Sequence, residues 1–193
     1  MDVTPQEAKD LFGQTDTMAN LMRNHTLYRR IGPTLILWGI IWLICFPLTA
    51  LAPAHSGWIW LIGDGIGFVG SALTMRRSNA GIRCKSSGIM RSRVLWFWVA
   101  FLAYGCFWMY LLAPAGNARA VVFIVTLVMF AYVTMGLLLR VRFMVWLGLA
   151  VTLFALVGYV LFANRPQMLN LWMGISGGLA LLGTGIFAVL RAR

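Results

Sequence analysis

Acidic residues are scarce in this 193-residue chain. There are five Asp and Glu against 16 Lys and Arg, and four of the five acids fall within the first 16 residues. Beyond that point the only carboxylate side chain is Asp64. Charged residues make up 11% of the sequence and hydrophobic residues 61%, whereas soluble domains average roughly 25% charged. This balance excludes an ordinary soluble globular domain. Histidine and cysteine are also few: His25, His55, Cys45, Cys84 and Cys106, with no CxxC spacing. Neither a metal site nor a disulfide is expected, and no cofactor. Hydrolytic and metal-assisted catalysis need several converging Asp, Glu, His or Cys, so an enzyme is the weakest reading of the chain.

In a soluble protein the excess of base, a net charge of +11, would suggest nucleic acid. Here the basic residues fall between apolar runs. Membrane topology and anionic lipid head groups at the cytoplasmic face account for them, and no nucleic-acid partner is expected.

What the chain does have is six apolar runs, at about 31–51, 58–75, 94–113, 120–139, 143–163 and 168–190. Each is close to the ~20 residues that cross a ~30 Å hydrocarbon core as a helix. The polar segments before, between and after them carry 4, 0, 6, 1, 2, 1 and 2 Lys and Arg. The alternation is strict, and cytoplasmic segments carry the positive excess. The fold expected is therefore all-α: a polytopic membrane protein with six transmembrane helices in one bundle, residues 31–193, and both termini in the cytoplasm. Between runs four and five only Arg140-Val141-Arg142 interrupts the hydrophobicity. The combined stretch is too long for one crossing, so a tight hairpin is forced although no Gly or Pro marks it.

Residues 1–30 form a polar cytoplasmic segment. Thr4-Pro5-Gln6-Glu7 fits a capping box with Pro at the first helical position, opening a short amphipathic helix that lies at the membrane interface or serves as a partner-docking arm. In span one, Pro47 removes the partner of the Leu43 carbonyl and predicts a kink. The connection 76–93 holds Arg76, Arg77, Arg83, Lys85, Arg91 and Arg93 with no acid. It reads as a flexible basic cytoplasmic loop, or as a docking site for lipid head groups or an acidic partner.

Asp64 is the chemical focus. It lies in Trp58–Met75, 18 residues without Lys or Arg, at a depth of roughly 9 Å from Trp58. A carboxylate at the bilayer centre costs about 2.5–3.5 kcal/mol on insertion scales, so Asp64 must face the bundle interior, be paired, or be protonated. It is either a proton or cation relay or an interhelical hydrogen-bonding group. By depth alone it falls in a small polar layer with Trp42, Tyr104, Ser176 and the Leu43 carbonyl, and Trp42 or that carbonyl is its expected partner. Around it, Gly63, Gly67 and Ser71 recur every fourth residue, a face that admits another helix closely. Gly174 and Gly178 add a second seam in span six, beside Ser176, Ala180, Thr184 and Ala188.

The run Tyr28-Arg-Arg-Ile-Gly-Pro-Thr-Leu-Ile-Leu-Trp-Gly-Ile-Ile-Trp-Leu-Ile, with the Asp- and Gly-containing second span, resembles small uncharacterised bacterial inner-membrane proteins. The resemblance covers spans one and two and implies the cell inner membrane, without an activity. The function expected is that of a non-enzymatic membrane module, a subunit, scaffold or sensor acting through a protein partner or a second copy. The alternative is a small transporter or channel using Asp64 as a proton- or cation-coupling group.

Overall fold

The computed structural model describes residues 28–29, 31–79, 86–112 and 117–192. The amphipathic helix expected within 1–30 and the loop residues Arg83 and Lys85 lie outside the described residues. Six long helices follow one another: α1 (Ile31–Leu51), α2 (Ser56–Asn79), α3 (Ser86–Leu112), α4 (Asn117–Leu138), α5 (Arg142–Phe162) and α6 (Pro166–Arg191). Among the described residues there is no strand. Four helices, α1, α4, α5 and α6, are long and apolar enough to cross a membrane, and the described apolar part of α3, Trp96–Leu111, is shorter.

The connection read as a loop over 76–93 is mostly helix. α2 runs on to Asn79 and α3 begins at Ser86, so Arg76, Arg77, Arg91 and Arg93 are carried on helix ends. Neither end contains a proline to stop it, and arginine is among the better helix formers. The basic residues thus extend the helices on either side of the connection rather than ending them at the edge of each apolar run.

The α4–α5 hairpin closes by a Schellman motif with no glycine at its left-handed position. The Val141 N–H donates to the Gly136 carbonyl at 2.7 Å and the Arg140 N–H to the Leu137 carbonyl at 3.2 Å. Arg140 takes the left-handed conformation, φ 55°, that usually falls to glycine at this position. The motif's usual apolar contact is present too: Val141 is buried in a small cluster with Met135 and Met144. At the α5–α6 turn, Pro166 occupies the first turn of α6, where its missing N–H leaves nothing unsatisfied.

The core is shared by α1, α4, α5 and α6. Leu35, Val125, Met129, Val151, Leu169, Met173 and Leu181 are its largest fully buried side chains. α6 packs against α1 and α5, and α5 against α4. α3 rests on α4, where Trp108 meets Phe123 at 6.2 Å between ring centroids. α2 lies against α1. Among the described residues no contact between α2 and α3 is found. The outward faces of the helices carry Leu, Ile, Val and Phe side chains exposed on every helix, for example Leu51, Ile66, Leu137 and Val160. Apolar surface of this extent suits hydrocarbon and not water.

Between helices in a membrane, apolar contact gains little over contact with lipid, so close backbone approach and interhelical hydrogen bonds carry association. The α1–α6 contact is built that way. A Cβ placed on Gly39 would meet the Leu182 nitrogen at 2.7 Å, and one on Gly185 would meet the Ile36 nitrogen at 2.7 Å. Across α5 and α6, the Trp172 indole lies over Gly158 and donates to the Phe154 carbonyl at 2.8 Å.

Candidate functional site

α1 presents two different faces to its neighbours, and this decides what surrounds Asp64. Toward α2 it turns Thr34, Trp38, Ile41 and Cys45. The Trp38 indole N–H donates to the Ser71 hydroxyl at 3.1 Å, and the Thr34 and Thr74 hydroxyls lie 3.3 Å apart. A Cβ on Gly63 would meet the Cys45 Sγ at 2.6 Å, and one on Gly67 would meet the Trp38 ring at 2.7 Å. Gly63, Gly67 and Ser71 thus form the strip of α2 that receives α1, at the i, i+4 spacing that keeps residues on one helix face.

Asp64 sits beside this strip, half-buried and near the Cys45 thiol. It shares a stripe with Trp60 and Phe68, one turn to either side. Trp60 meets Phe46 edge-on at 4.7 Å and Phe68 meets Trp38 edge-on at 5.6 Å. The carboxyl is therefore held between two aromatic contacts to α1. Among the described residues no hydrogen bond or ion pair to it is formed within the chain. Beyond it, α2 shows solvent or lipid an apolar face of Trp58, Leu61, Ile62, Ile66 and Val69. Gly65, on that side, has nothing within 4 Å of a Cβ position.

The structure does not bring the other members of the expected polar layer to Asp64. Trp42 is 5% exposed and turned the other way: its ring lies over Gly177 of α6, 2.8 Å from a Cβ position, and edge-on to Phe46. Leu43 packs against Gly178 of α6. Tyr104, on α3, is 54% exposed and stands beside Trp108. Ser176 donates to the Trp172 carbonyl of its own helix at 2.6 Å. Equal depth fixes height along the bundle normal and leaves the direction around each helix open, and these four residues point elsewhere. α1 is helical through Pro47, whose ring packs over Gly174.

Gly174 and Gly178 both lie against α1, whereas Ala180 and Thr184 line a groove between α5 and α6. Two further groups stand out that pattern reading passed over. Gly32, Gly39 and Gly185 complete the α1–α6 contact, and their signal was the seven-residue spacing of Gly32 and Gly39, matched by Gly178 and Gly185. Asn170 is 7% exposed near the start of α6, with its Oδ1 unpartnered among the described residues. Of the basic connection, Arg76 is exposed. Among the described residues no three His, Cys, Asp or Glu side chains gather as metal ligands would. Cys45 is buried and Cys106 exposed, both as free thiols. No family model matches the chain, and no curated protein and no solved structure matches it.

Proposed function

We propose that the chain is a six-span protein of a bacterial inner membrane, with both termini cytoplasmic, acting as a non-enzymatic module through a partner that docks on α2. The observation that carries this is the state of Asp64. It sits half-buried on a helix that lies against α1, and no group of its own chain bonds it among the described residues. A carboxyl in hydrocarbon is stabilised by a hydrogen-bonding or basic partner, and the apolar face next to Asp64, open at Gly65, gives a transmembrane helix room to supply one. The strict alternation of basic residues supports six crossings. α2, with 24 residues, extends to about 36 Å at helical rise, enough to cross.

The test is gentle solubilisation from the native membrane, followed by mass measurement and identification of every chain that co-purifies. A stoichiometric second protein, or a homo-oligomer cross-linked through α2, supports the reading. A bare monomer overturns it. The second reading, a small proton- or cation-coupled transporter, draws on the same unpartnered carboxyl beside Cys45. It requires pH-dependent flux in liposomes that Asp64→Asn abolishes.

A further inference from the structure

The groove between α5 and α6 lies at the opposite side of α6 from the α1 contact. Its volume is about 440 Å³, and its walls are Phe143, Trp146 and Ala150 from α5 with Ala180, Gly183 and Phe187 from α6. It is open along its length, and Gly183 has nothing within 4 Å of a Cβ position. One end is apolar throughout. At the other end the chain places arginines: Arg142 precedes Phe143, Arg140 stands in the α4–α5 turn, and Arg191 lies one turn beyond Phe187, its guanidinium 5.3 Å from the centre of that ring. All three are exposed. The only carboxylate side chain among the described residues is Asp64, which is on α2.

We infer that this groove is a binding site for one anionic phospholipid, with an acyl chain against Trp146, Ala150 and Gly183 and the phosphate held by Arg191 and Arg142. The charge pattern selects this occupant over a zwitterionic lipid or an apolar partner helix. An acyl chain fills an open apolar trough, and guanidinium groups recognise phosphate oxygens as paired N–H donors. Basic pockets between membrane helices on the cytoplasmic side hold anionic head groups in the same manner. Phe187 serves as a platform for the Arg191 guanidinium, which keeps that cation at the groove end. The inference rests on the proposed topology for placing this end at the cytoplasmic leaflet, and not for the affinity itself.

The full-length protein, stripped of lipid in detergent, is offered equal amounts of phosphatidylglycerol and phosphatidylcholine, and the bound lipids are counted by native mass spectrometry. Wild type retains phosphatidylglycerol preferentially. Arg191→Gln and Arg142→Gln each lower that preference about fivefold, which is about 1 kcal/mol per basic residue at an anionic head group. Arg165→Gln, at the other end of the bundle, leaves it unchanged. Gly183→Leu, whose Cβ enters open space, projects its side chain into the trough and lowers retention of both lipids. Equal retention of the two lipids by wild type overturns the inference. So does a loss on Arg165→Gln as large as that on Arg191→Gln, since net charge alone would then explain the preference. Protease accessibility of a C-terminal tag in inside-out vesicles is measured separately. A protected tag overturns the topology of the previous subsection, whereas the preference in detergent stands or falls independently of sidedness.

Discussion

Gly39 of α1 and Gly178 of α6 face one another so closely that each blocks a side chain on the other. A Cβ on Gly39 would lie 3.0 Å from the Gly178 carbonyl oxygen, and a Cβ on Gly178 would lie 3.1 Å from the Gly39 carbonyl oxygen. Gly32 and Gly185 repeat the arrangement two turns away, at 3.1 and 2.9 Å. The two antiparallel helices thus meet backbone to backbone, a geometry in which Cα–H groups approach carbonyl oxygens.

Gly39→Ala and Gly178→Ala are expected to destabilise the bundle by about 1–3 kcal/mol each, because the new Cβ meets the Leu182 nitrogen and Gly178 carbonyl in the first and the Leu43 Cγ and Gly39 carbonyl in the second, and the helices must move apart. Gly65→Ala is the control. It meets nothing and gains helix propensity of up to about 1 kcal/mol. Thermal unfolding in detergent orders the three, and a Gly39→Ala midpoint at or above that of Gly65→Ala contradicts the close approach.

Trp38 and Ser71 join α1 to α2 by a 3.1 Å hydrogen bond. Ser71→Ala removes the acceptor, at an expected cost of about 0.6 kcal/mol and at most about 1.7. Trp38→Phe removes the donor and also the outer indole atoms over Gly67, so it costs more, and the double variant costs no more than Trp38→Phe alone. A double-mutant cycle measures this, and fully additive losses show that the bond contributes nothing.

Asp64→Leu is expected to leave the isolated chain at least as stable as wild type, since it removes a carboxyl from hydrocarbon and breaks no bond within the described residues. The same substitution abolishes capture of the partner proposed on α2. Asp64→Asn, which can still donate and accept, retains it. Unfolding of the Leu variant in detergent would show that Asp64 serves its own chain.

Arg140→Gly relieves about 1–2 kcal/mol of left-handed strain and adds about 0.5–1 kcal/mol of unfolded-chain entropy. A net gain of about 0.5–1 kcal/mol is therefore expected. Arg140→Val, with a branched Cβ in the same conformation, loses stability. Chemical unfolding reads both signs, and a loss with glycine contradicts the Schellman geometry.

The all-helical class and the positions of the six helices were legible because long apolar runs are unambiguous signals. α1 occupies Ile31–Leu51, the expected run, while α2 and α3 overrun their apolar runs by several residues into the basic connection. Hydropathy marks where a helix leaves hydrocarbon and says little about where its backbone stops. The hairpin at Arg140 was forced by length, yet its chemistry was hidden, because an αL arginine has no compositional mark. The polar layer around Asp64 was the least legible. Trp42 and Cys45 differ by only three positions in α1, yet the first turns to α6 and the second to α2. That division depends on which helix lies on which side, and pairing between helices is not written in the hydropathy of either one.

Arg140 then stands at a conflict between two selections. As a turn residue it is inferior to glycine, which would take φ 55° without strain. As a charge it weights one end of the α4–α5 hairpin during insertion, when the orientation of a helix pair is still being decided and no bundle yet exists to hold it. On the proposed topology a little equilibrium stability is given up so that the nascent chain enters the bilayer the right way round. On that topology the residue serves insertion at a small cost to the finished fold.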